Sequence, residues 1–338
     1  MKLGLALKPH LWSDERLALA RQLGCDSIVA WVPLPAGDGV WHTEDLVRLK
    51  NQVNKHGMEL AAIENPHPAH WDKILLGEDG RDEQLENFAQ TIRNMGEAGI
   101  HCFGYNFSIV GVQGHWREAN NRDGRGGAGV KSFDVAKIPN SEPPNNQNVW
   151  FNTTLEHRSP IGTIPPTTEE EVWERLKYFL KYILPVAEEA EVVLAAHPED
   201  PPVRELRKMG RFLRNTENFE KLVTTFPSKY NCIEFCQGTF AEMYNADVIS
   251  AIHKFGSMKK IAYVHFRNVS SRLPSFNEVF IDEGYVDMIE AIKAYKEVGF
   301  EGVIIPDHTP LVTSEAPWDT GMAFGLGYIR ACLQMVDR

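Results

Sequence analysis

Short apolar runs rich in β-branched residues alternate with longer amphipathic segments along most of this chain. The runs predicted as strands are Leu3–Lys8, Ser27–Val32, Glu59–Glu64, His101–Phe107, Val192–His197, Asn231–Cys236, Ile261–Phe266 and Gly302–His308. The predicted helices are Ser13–Gly24, Thr43–Gly57, Arg81–Gly99, Thr167–Ala190, Asn218–Phe226, Phe240–Phe255, Tyr285–Val298 and Met322–Val336. Eight strand–helix units predict an α/β fold of the (β/α)8 TIM-barrel type. An open doubly wound sheet is less favoured, because the first strand–helix turn, KPHLWSDE, lacks a Gly-rich phosphate-binding pattern.

The alternation stops between residues 108 and 166, where Gly, Asn and Pro dominate, as in GRGGAG and SEPPNNQN. We therefore expect one barrel domain over residues 1–338, with 108–166 as a long insertion after the fourth strand. Structureless loops of this length inside a compact domain are uncommon and are often functional. A lid over the catalytic side and a plain surface excursion both fit the composition.

Composition narrows the partners and the compartment. The formal net charge of -11 argues against a nucleic-acid partner, since such proteins carry basic faces. It leaves an anionic small molecule open, because a few local cations outweigh a distant surface field. No signal pattern and no run long enough to span a bilayer is visible. The five cysteines are odd in number and scattered, which favours reduced thiols in the cytoplasm.

Polar, metal-capable side chains stand where four consecutive predicted strands end. The fifth strand ends at His197, because Pro198 cannot donate to a ladder. The sixth ends at Cys236, the seventh at His265, and the eighth at Asp307 with His308 beside it. Each residue alone has an ordinary structural explanation, as a turn former, a cap or a core thiol. Together, on one rim of a parallel barrel, they predict a site for a divalent cation.

Several stretches resemble the D-mannonate dehydratase family, in the same order along the chain. They are HPEDPP from His197, EFCQGT from Glu234, VHFRNV from Val264, PDH from Pro306, TIRNMGEAGI from Thr91 and YNF from Tyr105. The resemblance covers most of the chain. It implies a xylose-isomerase-like barrel and Mn²⁺-dependent dehydration of D-mannonate to 2-keto-3-deoxy-D-gluconate.

The resemblance also implies roles for individual residues. The metal ligands would be His197, Cys236, His265 and Asp307, and His308 would be a catalytic acid/base. Substrate contacts are expected from Arg267, Asn268, Tyr105 and Asn106, since strand alternation should turn Arg267 or Asn268 toward the mouth. Only the resemblance selects Mn²⁺; a thiolate accepts Zn²⁺, Fe²⁺ or Co²⁺ at least as readily, and Mg²⁺ stays open.

One segment departs from the family pattern. The family places a catalytic tyrosine in a Gly-rich stretch after the Asp–His pair, whereas the nearest positions here are Met322 and Phe324. Tyr328 comes later, and Thr309 and Pro310 stand where the family usually has glycine. The departure leaves the metal ligands intact but puts the proton-transfer assignment in question.

Three other functions fit the same residues. A sugar isomerase or epimerase would use the barrel and the metal, although a thiolate ligand suits that chemistry less well. A divergent dehydratase would act on another sugar acid, and a binding or regulatory protein would keep the metal without turnover. A homo-oligomer is expected in each case.

Overall fold

Eight parallel strands form a closed barrel in this computed structural model, which describes residues 1–110, 122–138 and 164–336. The barrel strands are β1 (Lys2–Leu7), β2 (Ser27–Trp31), β3 (Glu59–Glu64), β4 (Cys102–Tyr105), β6 (Val193–Ala196), β9 (Asn231–Cys236), β10 (Ile261–His265) and β13 (Val303–Ile305). They pair in chain order around the ring, and β13 closes on β1. The predicted TIM barrel is thereby confirmed, while its extent as one domain stays a prediction.

Helices surround this barrel. They are α1 (Asp14–Gln22), α2 (Thr43–Lys55), α3 (Asp72–Leu76), α4 (Arg81–Glu97), α5 (Glu169–Glu189), α6 (Thr216–Thr225), α7 (Gln237–Glu242), α8 (Val248–Ser257), α9 (Met288–Glu297) and α10 (Pro317–Val336). The start of α5 is fixed by a capping box, in which Thr168 Oγ1 accepts from the backbone N–H of Glu171. The Glu171 carboxylate accepts in return from the backbone N–H of Thr168. Within the described residues, no helix has the length and apolarity to cross a membrane.

Strand alternation separates two packing environments. On β9 and β10, Phe235 and Val264 face outward into the large core between barrel and helices. Tyr263 instead joins a small inner cluster with Val29 and Ala195, and the inner face carries polar groups nearer the carboxyl ends. The barrel interior therefore holds a cluster of apolar side chains together with ionisable groups nearer the carboxyl ends of the strands.

The structure differs from the sequence-based prediction in three places. The helix predicted over Phe240–Phe255 is two helices, α7 and α8, because Met243 leaves helical geometry and Asp247 caps a new start. A hairpin of β7 (Glu205–Leu206) and β8 (Met209–Gly210) was not predicted. Neither was an antiparallel sheet of β5 (Ser132–Asp134), β11 (Asn268–Val269) and β12 (Ser275–Val279).

That small sheet anchors the described part of the insertion. Strand β5 belongs to residues 122–138 and pairs with β12, which follows β10 in the chain. Phe133 of β5 packs on Phe276 of β12, with ring centroids 5.7 Å apart. The remainder of the predicted lid, 111–121 and 139–163, lies outside the described residues.

Candidate active site

Strand register brings His197, Cys236 and His265 together at the carboxyl end of the barrel. Cys236 and His265 are direct partners across β9 and β10, and His197 directly follows β6, the other neighbour of β9. One ligand atom from each lies within 4.8 Å of the other two, and all three residues are buried. We call these three residues the metal group.

The imidazole of His197 is oriented for ligation. Its Nδ1 lies 2.6 Å from the carbonyl oxygen of Pro198, which can only accept, so this nitrogen carries the hydrogen. The Asn106 amide donates to the same carbonyl at 3.1 Å and lies 3.4 Å from Nδ1. Nε2 is thereby the nitrogen available to a metal, in the arrangement common to ligating histidines.

The electrostatics of the metal group favour a thiolate. Burial alone would raise the pKa of Cys236, but the charge of Arg267 and hydrogen bonds from His197 and His265 lower it well below its ordinary value. Burial lowers the pKa of His197, yet the Glu234 charge and Cys236 raise it to about 9. Metal ligands bind in their deprotonated forms, so a cation would take the place of the protons that His197 and His265 direct at Cys236. Two imidazoles and a thiolate suit a divalent transition metal.

Two buried carboxylates beside the metal group were missed by sequence reasoning. Glu234 Oε1 lies 3.0 Å from His265 Nε2, and Glu64 Oε2 lies 3.2 Å from the same nitrogen. Burial and the neighbouring Glu64 charge raise the pKa of Glu234 to about 8. Although these groups lie at ion-pair distances, neither Glu234 oxygen nor His265 Nδ1 has a partner in hydrogen-bond geometry among the described residues. This is the environment that a bound cation would complete.

Glycine makes room for this buried carboxylate. A Cβ at Gly104 would lie 2.0 Å from the Tyr263 hydroxyl and 2.6 Å from Glu234 Oε2. The Gly104 position on β4 therefore cannot carry a side chain while Glu234 and Tyr263 occupy the interior.

Asp307 lies beside the metal group but is not one of the three residues whose ligand atoms lie within 4.8 Å of one another. Its Oδ2 lies 3.6 Å from His265 Nδ1 and 3.3 Å from Arg267 Nε. The backbone has φ of 61°, a left-handed conformation that aspartate tolerates better than most residues. The charges of His308 and His265 lower its pKa well below the ordinary value, against the effect of burial. Its role as a fourth ligand stays a prediction.

Arg267 is held by carboxylates of the protein itself. Its guanidinium nitrogens lie 2.6 Å from Asp200 Oδ2, 2.8 Å from Glu242 Oε1 and 3.6 Å from Glu278 Oε1. A Cβ at Gly238 would lie 2.5 Å from the same guanidinium, so glycine gives it space. These contacts make Arg267 a source of fixed positive charge near Cys236, and a direct substrate contact from it stays a prediction.

The side chains of two other predicted substrate residues serve the scaffold. Asn268 donates to the carbonyl of Val286 and accepts from the backbone N–H of Val269. Tyr105 points outward into an aromatic layer against Phe179 and Trp71. Asn106 is the member of this predicted set that reaches the metal group.

A second cluster gathers around His308. Nδ1 of His308 lies 2.9 Å from Glu278 Oε2, and Nε2 lies 3.1 Å from both Asp307 Oδ2 and Lys131 Nζ. Lys131 and Glu278 are buried, while the His308 side chain is 22% exposed. We call Lys131, Glu278 and His308 the acid–base group. Its first two members were not predicted.

The Gly-rich segment after His308 lies in α10. Met322 is buried and Phe324 packs on Phe280, with centroids 5.8 Å apart. Tyr328, further along the same helix, is partly buried against the hydrophobic core. Neither of the two positions nearest the family's tyrosine supplies an ionisable group.

Some of the missed residues had a local signal. Glu234 is a charged residue inside an apolar strand, two positions before Cys236, so alternation places both on one face. Glu64 ends its strand in the same manner. Nothing local marks Lys131 or Glu278, because the segment ending in β5 and the strand β12 are neighbours only in the folded chain.

Comparison with known proteins identifies the family of this chain. The family model described as D-mannonate dehydratase (UxuA) matches residues 12–337. Mannonate dehydratase 2 of Halalkalibacterium halodurans is 32% identical over 311 residues, covering 90% of this chain and 89% of the relative.

Solved structures extend the comparison. Mannonate dehydratase from Streptococcus suis serotype 2 superposes with a TM-score of 0.82 at 27% identity, covering 99% of this chain and 93% of that one. D-Psicose 3-epimerase from Clostridium cellulolyticum H10 superposes with a TM-score of 0.63 at 13% identity, covering 98% of this chain and 99% of that one. At this identity the similarity shows the fold alone. The family match over nearly the whole chain, together with a relative above 30% identity, establishes that the chain belongs to the D-mannonate dehydratase family.

Proposed function

We propose that this protein is a metal-dependent hydro-lyase that converts D-mannonate to 2-keto-3-deoxy-D-gluconate and water. The observation that carries the proposal is the approach of His197, Cys236 and His265 within 4.8 Å, with His308 two contacts away through Asp307. Family membership supplies the substrate class, and the donor set supplies the reason for a metal.

The metal group would hold the cation, with Asp307 as an additional ligand. When bound, the metal supplies positive charge that stabilises the anion formed when the proton next to a carboxylate is removed. We favour Mn²⁺ from the family resemblance. The thiolate keeps Fe²⁺, Co²⁺ and Zn²⁺ as candidates for the test, and Mg²⁺ is tested beside them.

The chain's own residues would handle the protons. Glu278 accepts from Nδ1 of His308, the arrangement in which a carboxylate orients a catalytic imidazole, and Nε2, which lies 3.1 Å from Asp307 Oδ2 and from Lys131 Nζ, would exchange a proton with the substrate. The charge of Arg267 lowers the pKa of Cys236 and so favours its thiolate form, and Arg267 is itself fixed by Asp200 and Glu242. Asn106 would position His197 through the shared Pro198 carbonyl, or contact the substrate as the sequence predicts.

The test is an assay on purified protein stripped with chelator and then reloaded with Mn²⁺. D-Mannonate should give the 2-keto-3-deoxy acid only in the reloaded sample, detected by its periodate–thiobarbiturate colour or by NMR. Matched incubations with other aldonates, with aldoses and with ketoses separate the alternatives. Turnover of another aldonate alone would identify a divergent dehydratase. Turnover of aldoses or ketoses alone would identify an isomerase or epimerase, and metal uptake without any turnover would identify a binding protein.

Several broader predictions accompany this function. One domain, a homo-oligomeric state and a cytoplasmic location are proposed from the sequence. Light scattering of the purified protein measures the second.

A further inference from the structure

The insertion delivers a lysine to the acid–base group. Lys131 directly precedes β5, and its carbonyl accepts from the backbone N–H of Glu278 at 2.9 Å. The neighbouring strand pairs of β5 and β12 continue this contact, so the backbone of Lys131 is fixed to the segment that carries Glu278. A second backbone contact, between Gly129 and Leu311, ties the same part of the insertion to the chain just after His308.

The lysine side chain ends on the imidazole. Nζ lies 3.1 Å from Nε2 of His308 and 3.7 Å from Oε2 of Glu278, and the lysine side chain is only 9% exposed. Burying an ammonium is costly unless it is paired, and here the pairing carboxylate is Glu278. The lysine charge is therefore held at the position where His308 meets Asp307.

The two nitrogens have complementary proton states. Glu278 can only accept as a carboxylate, so it fixes a hydrogen on Nδ1 of His308. Nε2 lies 3.1 Å from both Asp307 Oδ2 and Lys131 Nζ, and with Asp307 serving as the additional metal ligand of the proposed function, Nε2 would present its lone pair to the lysine. Lys131 carries three hydrogens and no acceptor, and one of them faces that lone pair. A base and an acid thus stand side by side at the mouth of the barrel.

Dehydration needs such a pair. A proton must leave C2 while the oxygen on the adjacent C3 must gain one, and substituents on adjacent carbons lie near each other. We propose that Lys131 is the acid and His308 the base of this step, an inference that rests on the proposed function.

The protons balance over one cycle. Nε2 of His308 takes the proton from C2, and the electron pair of that bond forms the C2–C3 double bond. The C3–O bond breaks with its pair on oxygen, which takes a proton from Lys131 Nζ and leaves as water. The enol becomes the 2-keto acid by loss of the O2 proton and protonation at C3. The proton on His308 then passes to the neutral lysine across the 3.1 Å contact and restores both groups.

The experiment removes the acid and changes the leaving group. Lys131→Met keeps the length of the side chain and removes the proton, while Lys137→Met changes an exposed lysine of the same described segment and serves as the control. Each Mn²⁺-loaded protein is assayed with D-mannonate and with 3-deoxy-3-fluoro-D-mannonate. Fluoride leaves without general-acid help, and both substrates give the same 2-keto-3-deoxy acid.

We expect Lys131→Met to lose about 10²-fold or more in kcat on D-mannonate, the usual contribution of general acid catalysis, and to stay within about tenfold of wild type on the fluoro substrate. His308→Asn should lose both reactions while keeping its metal, and Lys137→Met should lose neither. If Lys131→Met is poorly folded by circular dichroism, Lys131→Gln is measured in its place.

Other outcomes reject the assignment. Equal losses on both substrates would make Lys131 a structural support for His308, and unchanged kcat on D-mannonate would remove it from the chemistry. Wild type inactive on D-mannonate would instead reject the proposed function itself, with which this assignment also falls.

Discussion

The metal group and the acid–base group lie side by side but are built by different parts of the fold. His197, Cys236 and His265 stand on or directly after neighbouring barrel strands, so hydrogen-bonded register fixes their spacing. Lys131 and Glu278 stand outside the barrel, on or directly before strands of a small antiparallel sheet, and His308 on the loop after β13. The first group depends on the common scaffold, whereas the second depends on an insertion that folds back onto it.

Because of this difference, substitutions in the two groups should have different effects. On the proposed function, a change in the metal group would remove an ion that the reaction needs, whereas a change in the acid–base group would leave the ion in place and slow proton transfer. Variants of one group should therefore alter metal content, and variants of the other should alter turnover alone.

The largest effect is expected from His197→Asn. The change removes the nitrogen that would bind the metal. Mutating even a residue that only supports a metal ligand typically lowers metal affinity or activity about 10–100-fold, so loss of the ligand itself should lower activity by more than about 100-fold. Metal content after dialysis against Mn²⁺, measured by plasma emission spectrometry, should fall in parallel. His253→Asn, on the half-exposed face of α8, is the matched control and should keep both. A variant that still binds one equivalent of metal would remove His197 from the ligand set.

A smaller effect is expected from Glu278→Gln. The amide no longer provides the charge that orients Nδ1 of His308 and pairs with Lys131, so kcat should fall about 10–100-fold. Metal content should stay at the wild-type level, which is the measurement that distinguishes the two groups. Glu301→Gln, at an exposed position before β13, should change neither quantity. Loss of metal together with activity would contradict the separation of the groups.

The smallest effect is expected from Thr168→Ala, in a helix cap outside both groups. Losing the capping oxygen should cost about 1 kcal/mol in the free energy of unfolding by urea, without a change in kcat. Thr225→Ala, at the exposed end of α6, should not lose stability.

The same cap has a pH dependence with a fixed sign. Hydrogen bonds from the backbone N–H and then the hydroxyl of Thr168 lower the pKa of Glu171. A carboxyl with a lowered pKa in the folded state stabilises above its ordinary pKa, and that contribution is lost as the pH falls through the folded value. The deficit of Thr168→Ala should therefore shrink on acidification, and a deficit that grows would contradict the cap.

Tertiary structure altered two details of the sequence-based interpretation in instructive ways. The apolar pattern over Phe240–Phe255 does not reveal the break between α7 and α8, because apolar residues on both sides of the break are buried. Strand alternation places Tyr105 and Asn106 on opposite faces of the strand, but it does not say which of the two faces the barrel interior. The structure turns Tyr105 outward and Asn106 toward His197.

The sequence by itself determined the barrel and the meeting of His197, Cys236 and His265 at one rim, while metal binding there and the part of Asp307 in it stay predictions. Strand–helix alternation specifies a parallel barrel, and in such a barrel consecutive strands are neighbours, so polar residues at consecutive strand ends must meet. Only the tertiary structure decided the acid–base group and the carboxylates around Arg267. Residues 131, 278 and 308 share no local period, and their contact arises because an insertion pairs with a distant strand, a long-range closure that no short pattern encodes.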